Sequence, residues 1–217
     1  MSNLKICIVA PPSCDKTTTA REVVKILKKQ HRINAEVAEE YARKYTRDNY
    51  DDLDDNHPIY DPHQQYPIML GQIEVEDKVS RRHDVTICDS STFLGYVYAR
   101  AMVTGLPKTM RHKPMYQKLL KDLHEMSLQQ LPSYDSVFLF EPTGFVFQDG
   151  VRSQKDADQA PLFTRIKGFL DAEGVKYTQL SGTAEEKAQE IVAHILGLVR
   201  FQQATGEHMY HAAEAKA

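Results

Sequence analysis

The sequence is short of several things, and each shortage excludes a class of protein. It has no apolar run near the roughly 18 residues that a membrane-spanning helix requires. Its first apolar stretch ends in Pro11-Pro12 without a cleavage-type pattern, so a soluble, cytoplasmic protein is expected. It has only three cysteines, Cys7, Cys14 and Cys88, at spacings that suit neither a zinc site nor a disulfide framework, and they read as reduced and structural. Charge of neither sign dominates: 27 Lys and Arg against 30 Asp and Glu leave a formal net charge of −3, which excludes a surface that binds polyanions everywhere but allows local basic patches. No internal repeat or low-complexity linker divides the 217 residues, and 41% hydrophobic content suffices for one sizeable core. A single domain over residues 1–203 is expected, followed by a flexible tail over 204–217 whose His208 and His211 hold no metal.

Glycine is missing where it would matter most. The stretch from Ile6 to Lys28, ICIVAPPSCDKTTTAREVVKILK, reads as a buried strand, a tight turn and an amphipathic helix carrying Val23, Val24, Ile26 and Leu27. Its turn is close to the phosphate-binding pattern G-x-x-x-x-G-K-[ST], with Ala10 and Asp15 at the two glycine positions and Lys16-Thr17 intact. In such a loop, backbone N–H groups and the helix N-terminus cradle phosphates, the lysine reaches the β and γ oxygens, and the hydroxyl ligates Mg²⁺. Ala10 needs only an ordinary backbone angle. Asp15 brings negative charge towards a polyanion, although aspartate tolerates left-handed backbone better than most residues. The candidate nucleotide-binding residues are therefore Pro12, Ser13, Cys14, Asp15, Lys16, Thr17 and Thr18, with ATP and Mg²⁺ as the expected ligands.

Four more strand-like segments follow, at about Ile33–Ala38, Asp84–Cys88, Asp135–Phe140 and Lys176–Leu180, alternating with helical patterns. That alternation predicts a parallel sheet with helices on both faces, an α/β architecture whose ligands bind outside the carboxyl ends of the strands. Glu39 and Glu40 fall there, after the second strand. A carboxylate at that place serves either as a base towards a substrate hydroxyl or simply as a helix first-turn residue, with Glu39 the nearer to the strand and Arg43 available for a substrate anion. Asp89 ends the third strand in DVTICDSS, where either a Mg²⁺–water ligand, a catalytic base or a helix N-cap is expected. Thr17 and Asp89 are the candidate metal residues.

The acidic segment 48–62 lacks calcium-loop spacing and reads as a solvated loop covering the substrate side, while Gln72 sits in a helical stretch over 63–82 as a core-edge or ligand-facing residue. Residues 108–121 are the most basic stretch and offer a contact for DNA or phosphates. After the fourth strand, the Asp149-Gly150 turn and Arg152 suit a lid over about 142–160 that lays an arginine on a transferring phosphoryl group. A long amphipathic helix over 184–201 closes the pattern.

APPSCDKTTTA, EEYARKY, DVTICDSS and QDGVRS, in this order, resemble the P-loop kinase family that includes the ribosylnicotinamide kinase domain of NAD-salvage regulators, a group also described as AAA-like ATPases. The resemblance spans Ile6 to about Val199. It implies a three-layer P-loop NTPase sandwich with five parallel strands in the order 2-3-1-4-5 and a nucleoside or nucleotide kinase-like fold. By the same resemblance Lys16 and Thr17 handle ATP and Mg²⁺, Glu39 or Asp89 serves at the acceptor, and Arg152 belongs to the lid.

The family also contains phage enzymes that phosphorylate 5-hydroxymethyluracil in DNA, and the basic stretch and single-domain length fit that DNA-modification branch; the compartment would then be the host cytoplasm. The expected activity is transfer of the γ-phosphoryl group of ATP to a hydroxyl of a nucleoside-like acceptor, free (ribosylnicotinamide, a deoxynucleoside or a nucleotide) or carried in DNA. The alternatives are a nucleotide-binding module disabled by Asp15 and a regulatory ATPase acting on a protein partner.

Overall fold

The computed structural model describes residues 3–49, 61–143 and 159–206. Strands β1 (Leu4–Val9), β2 (Ala35–Ala38), β3 (Val85–Asp89), β4 (Ser136–Phe140) and β5 (Thr178–Leu180) form one sheet in the order β2-β3-β1-β4-β5, with every pairing parallel. The order and the strand positions are those expected. β2 and β5 begin two residues later than expected, and β3 runs one residue further, so that Asp89 is its last residue. β1, β3 and β4 are buried at every position, which is why they read as unbroken apolar runs instead of alternating ones.

Alternation along β1 divides the interior into two. Leu4, Ile6 and Ile8 face α1 (Lys16–His31) and α8 (Ala184–Thr205), while Cys7 and Val9 face the layer containing α3 (Gln65–Ser80), α4 (Leu94–Gly105) and α7 (Gln159–Ala172). α8 opens with a full capping box, Thr183 and Glu186 each bonding the other's backbone N–H, and its last residue, Thr205, lies four residues beyond the expected end at about Phe201, where Gly206 at φ 71° closes it. The short α2 (Tyr41–Asn49) lies against α3, where a Cβ added to Gly71 would come within 2.1 Å of the Tyr41 ring. Only glycine allows that approach.

The motif reading passes over two helices, α6 (Pro114–Gln130) and α7. In α6, Leu119, Leu123 and Ser127 are buried at helical spacing behind Pro114 at the first turn. Two of the lysines that made the segment 108–121 read as basic are matched one turn on, Lys118 to Asp122 at 2.6 Å and Lys121 to Glu125 at 3.7 Å. The remaining helix, α5 (Lys108–Arg111), is a single turn.

A buried polar cluster ties α3 to the sheet. The Lys5 ammonium lies 2.9 Å from the Glu76 carboxylate, which also accepts hydrogen bonds from Gln72 and from the Tyr134 hydroxyl, both at 3.1 Å. Gln72 is thus a core-edge residue, and its Oε1 accepts the backbone N–H of Tyr41 at 2.8 Å. The Tyr134 oxygen in turn accepts the N–H of Thr92 at 3.1 Å. Complete burial pushes the Glu76 pKa up against the pull of Lys5; burial is also the largest influence on Lys5 and lowers it, but the Glu76 charge and hydrogen bond, together with Cys88 and Asp77, raise that pKa on balance. Removing one partner of such a pair strands the other charge, so Glu76→Gln is expected to lower unfolding free energy by about 3 kcal/mol or more in urea titrations, and Lys5→Met with Glu76→Met to recover most of it. Equal stability of Glu76→Gln and the parent would contradict the pairing.

Candidate functional site

The loop between β1 and α1 has the form the sequence suggested, with its strain placed on unusual residues. Ala10 is buried and has no positive φ, so the first missing glycine costs little. Asp15 stands at φ 59°, ψ 16°, the left-handed conformation in which a glycine would be unstrained, and Ser13 also has φ 59°. From that position the Asp15 carbonyl accepts the Thr19 N–H at 2.9 Å and opens α1, leaving the first-turn N–H groups directed into the loop. Lys16 is buried, and its ammonium folds over the loop to donate to the carbonyls of Ala10 at 3.2 Å and Pro11 at 3.0 Å. Two further side chains brace the loop from outside: Thr143 donates to the Ser13 carbonyl at 3.1 Å and Gln159 to that of Pro12 at 3.0 Å. Cys14, Cys7 and Cys88 are buried thiols whose pKa values burial pushes up, which keeps them unreactive.

The charge of Asp15 has a partner that sequence reasoning missed. Lys187 of α8 is 1% exposed, its ammonium lies 3.8 Å from Asp15 Oδ2, and it sits over the Phe140 ring at 4.6 Å from the centroid. The signal was present in the sequence as a lysine four residues before Ile191, on the apolar stripe that continues to Ile195 and Leu198. Lys187 offsets the negative charge at the rim of the phosphate loop.

At the carboxyl end of β3, Asp89 is 2% exposed and Thr17 donates to its Oδ2 at 2.5 Å. Asp89 is not a helix cap: α4 begins five residues later behind Phe93. Burial raises its pKa, with Lys16 and the Thr17 hydrogen bond opposing the shift. Its second oxygen, Oδ1, is buried with no hydrogen-bond partner. An orphaned carboxylate oxygen beside a threonine hydroxyl at the mouth of a phosphate loop is a donor set that suits Mg²⁺, whose remaining ligands come from water and phosphate oxygens. Among the described residues there is no cluster of three His, Cys, Asp or Glu side chains of the kind that cages a metal by protein alone. The residue after Asp89, Ser90, holds φ 147°, an uncommon angle at a functional strand end.

Next to Asp89 opens a cavity of about 420 Å³ bounded by α1, the edge of β2, α2 and α3. Glu39 and Glu40 both line it, but differently. Glu39 is 70% exposed and pairs with Arg21 at 3.0 Å, whereas the Glu40 side chain is 10% exposed, lies against Arg43 at 3.0 Å and is close enough to raise the Asp89 pKa. No residue of 108–121 lines this cavity. Arg152, the lid turn, most of the acidic segment and the His208/His211 pair lie outside the described residues.

Lys187→Met should weaken Mg-ATP binding by about tenfold, the scale of one charge–charge contact at a loop of intermediate dielectric. Asp15→Gly should bind at least as tightly as the parent but melt at lower temperature, because Lys187 then stays buried without its carboxylate; the double variant should return close to parental affinity. Calorimetric titration of the four proteins reads all three outcomes, and parental affinity in Lys187→Met would contradict the compensation.

The comparisons with known proteins follow the same lines. No curated protein sequence matches the chain. Among solved structures, a NadR protein in complex with NR superposes with a TM-score of 0.68 at 16% identity, covering 96% of this chain and 53% of that one. A NadR protein in complex with NAD and AMP-PNP gives 0.66 at 14% identity, covering 100% of this chain and 52% of that one. The chain therefore spans about half the length of these neighbours, and the likeness is one of fold, as the sequence resemblance implied. The AAA_28 family model, described as an AAA domain, matches residues 5–187. With its phosphate loop, its β3 aspartate and its strand order all inside that match, the chain belongs to this AAA domain family of P-loop proteins.

Proposed function

We propose that the protein is a P-loop kinase that moves the γ-phosphoryl group of ATP to a hydroxyl of a nucleoside-like acceptor. The observation that carries this reading is the pairing of Thr17 with Asp89 at 2.5 Å, with Asp89 Oδ1 left unpartnered, between a phosphate loop and a separate cavity lined by carboxylates. A phosphate loop alone serves any nucleotide-binding protein. A second, acceptor-sized cavity meeting it at a carboxylate is what phosphoryl transfer needs. The fold neighbours bound to NR and to AMP-PNP are consistent with both halves.

Mg²⁺, when bound at Thr17 and Asp89, would supply charge neutralisation on the β and γ phosphates. The chain's own groups do the rest. Lys16 exchanges the carbonyls of Ala10 and Pro11 for phosphate oxygens, and the loop N–H groups hold the triphosphate in line. The acceptor oxygen forms a bond to the γ phosphorus as the bond from that phosphorus to the β–γ bridging oxygen breaks. The electron pair leaves with ADP, and the hydroxyl proton passes to a carboxylate and on to solvent. Glu40 fits this last role better than Glu39, because it is held inside the cavity beside Asp89 instead of on the rim. The lid over 142–160 with Arg152 remains part of this proposal, supported by Thr143 and Gln159, which flank 144–158 in the chain and both bind the phosphate loop. The acceptor is taken either free or in DNA, as 5-hydroxymethyluracil, and the domain assignment of 1–203 with a tail over 204–217 stands with the same reading.

Transfer of labelled γ-phosphate from Mg-ATP to a panel of nucleosides, ribosylnicotinamide, nucleoside monophosphates and DNA with and without 5-hydroxymethyluracil tests it. Labelled acceptor is expected, with Lys16→Ala and Asp89→Asn each reducing turnover by about a hundredfold or more while unfolding normally. Release of inorganic phosphate alone would point to an ATPase, and no nucleotide binding at all would point to a disabled loop.

A further inference from the structure

The acceptor cavity carries more positive charge than a neutral nucleoside requires. Six cationic side chains line it, Arg21, Arg43, Lys44, Arg47, Lys78 and Arg82, against the three carboxylates Glu39, Glu40 and Asp89. The cations are not equivalent. Arg21, Arg43 and Lys44 are engaged by Glu39, Glu40 and Asp48, each at 3.0 Å. Arg47, Lys78 and Arg82 have no carboxylate partner among the described residues, and all three are exposed. They come from three places, the last turn of α2, the last turn of α3 and the segment before β3, yet converge on one cavity.

Their position is as informative as their charge. Asp89 closes β3 and Val85, which opens it, stands roughly 13 Å away at about 3.3 Å per residue, with Arg82 three residues further back, so the carboxylate and this cation belong to opposite ends of the strand. Between them the wall is apolar and aromatic, formed by Val37, Val75, Val79 and Tyr41. Carboxylates at one end suit a hydroxyl, the apolar wall suits a base, and cations with no carboxylate partner among the described residues suit an anion. Arginine in particular matches the forked geometry of phosphate oxygens.

Resting on the kinase reading above, we propose that the acceptor itself carries a phosphate, held by Arg47, Lys78 and Arg82 along the edge of β2 while its hydroxyl lies beside Asp89 and Glu40. The phosphate belongs either to a mononucleotide or to one nucleotide of a polynucleotide strand. Both place a phosphate ester on the three cations, and both exclude an uncharged nucleoside as the preferred acceptor.

The test is direct binding, independent of turnover. Thymidine, thymidine 5′-monophosphate and a short single-stranded deoxyoligonucleotide are titrated calorimetrically into the protein, its Lys16→Ala variant and an Arg47→Gln, Lys78→Gln, Arg82→Gln triple variant. At least one phosphorylated ligand is expected to bind ten or more times tighter than thymidine, with that advantage lost in the triple variant, kept in Lys16→Ala and reduced by salt. Preference for the mononucleotide identifies a free acceptor; preference for the oligonucleotide identifies a strand. Because the three residues are exposed, the triple variant should fold, and Arg82→Glu alone should reproduce part of the loss. Equal affinity for thymidine and both phosphorylated ligands, or an advantage that survives the triple variant, would overturn the proposal. Groove binding without any phosphoryl transfer would instead overturn the kinase reading while leaving the anion site in place.

Discussion

A left-handed residue has to stand between the phosphate loop and the first turn of α1, and most of the site follows from how this chain meets that constraint. Asp15 takes the conformation at φ 59° and so lets the loop N–H groups and Lys16 converge on one point. Its side chain, unlike a glycine hydrogen, then needs an answer, and α8 provides one in Lys187. α8 packs on α1 through Ile191, Ile195 and Leu198, so the element that completes the core beneath the loop also delivers the compensating charge. Fold and electrostatics are met here by one helix.

The other half of the site depends on a buried network instead of a backbone angle. Glu76 and Lys5 fix α3 against the sheet, Gln72 carries that anchorage to the first residue of α2, and Tyr134 carries it to Thr92, three residues past Asp89. The two more deeply buried carboxylates of the cavity, Glu40 and Asp89, thus both lie close in the chain to residues held by one buried cluster. Gly71 completes the arrangement by letting the Tyr41 ring lie directly on α3. Under the proposed phosphoryl transfer such support matters, since misplacement of a reacting group costs rate steeply.

Much of this was legible from residue order. The buried strands announce themselves as apolar runs, and Lys16-Thr17 and Asp89 can be located because each follows one of those runs at the carboxyl end. What pattern could not supply is partnership across the fold. Lys187 lies 172 positions from Asp15 in the chain and meets it only because β4 and β5 bring α8 back over α1. Glu39 is nearer to the strand than Glu40 in sequence, but the side chains of adjacent residues diverge: both line the cavity, Glu39 exposed at its rim against Arg21 and Glu40 largely buried against Arg43. In the basic stretch 108–121 the charges are visible in sequence, whereas the matching of Lys118 by Asp122 and of Lys121 by Glu125 depends on the helix of α6. The cations that line the cavity beside Asp89 are scattered through α1, α2, α3 and the turn before β3, where no local run marks them.

If the loop holds a nucleotide for transfer with aspartate in place of its second glycine, it does so because that aspartate is paired with Lys187. A crystal structure with Mg²⁺ and a non-hydrolysable ATP analogue tests it most directly. The account predicts the β and γ phosphates inside residues 10–17, the cation on Thr17 and Asp89, and the Asp15 carboxylate still against Lys187. An analogue bound elsewhere, or Asp15 swung in to the metal with Lys187 released, would contradict it.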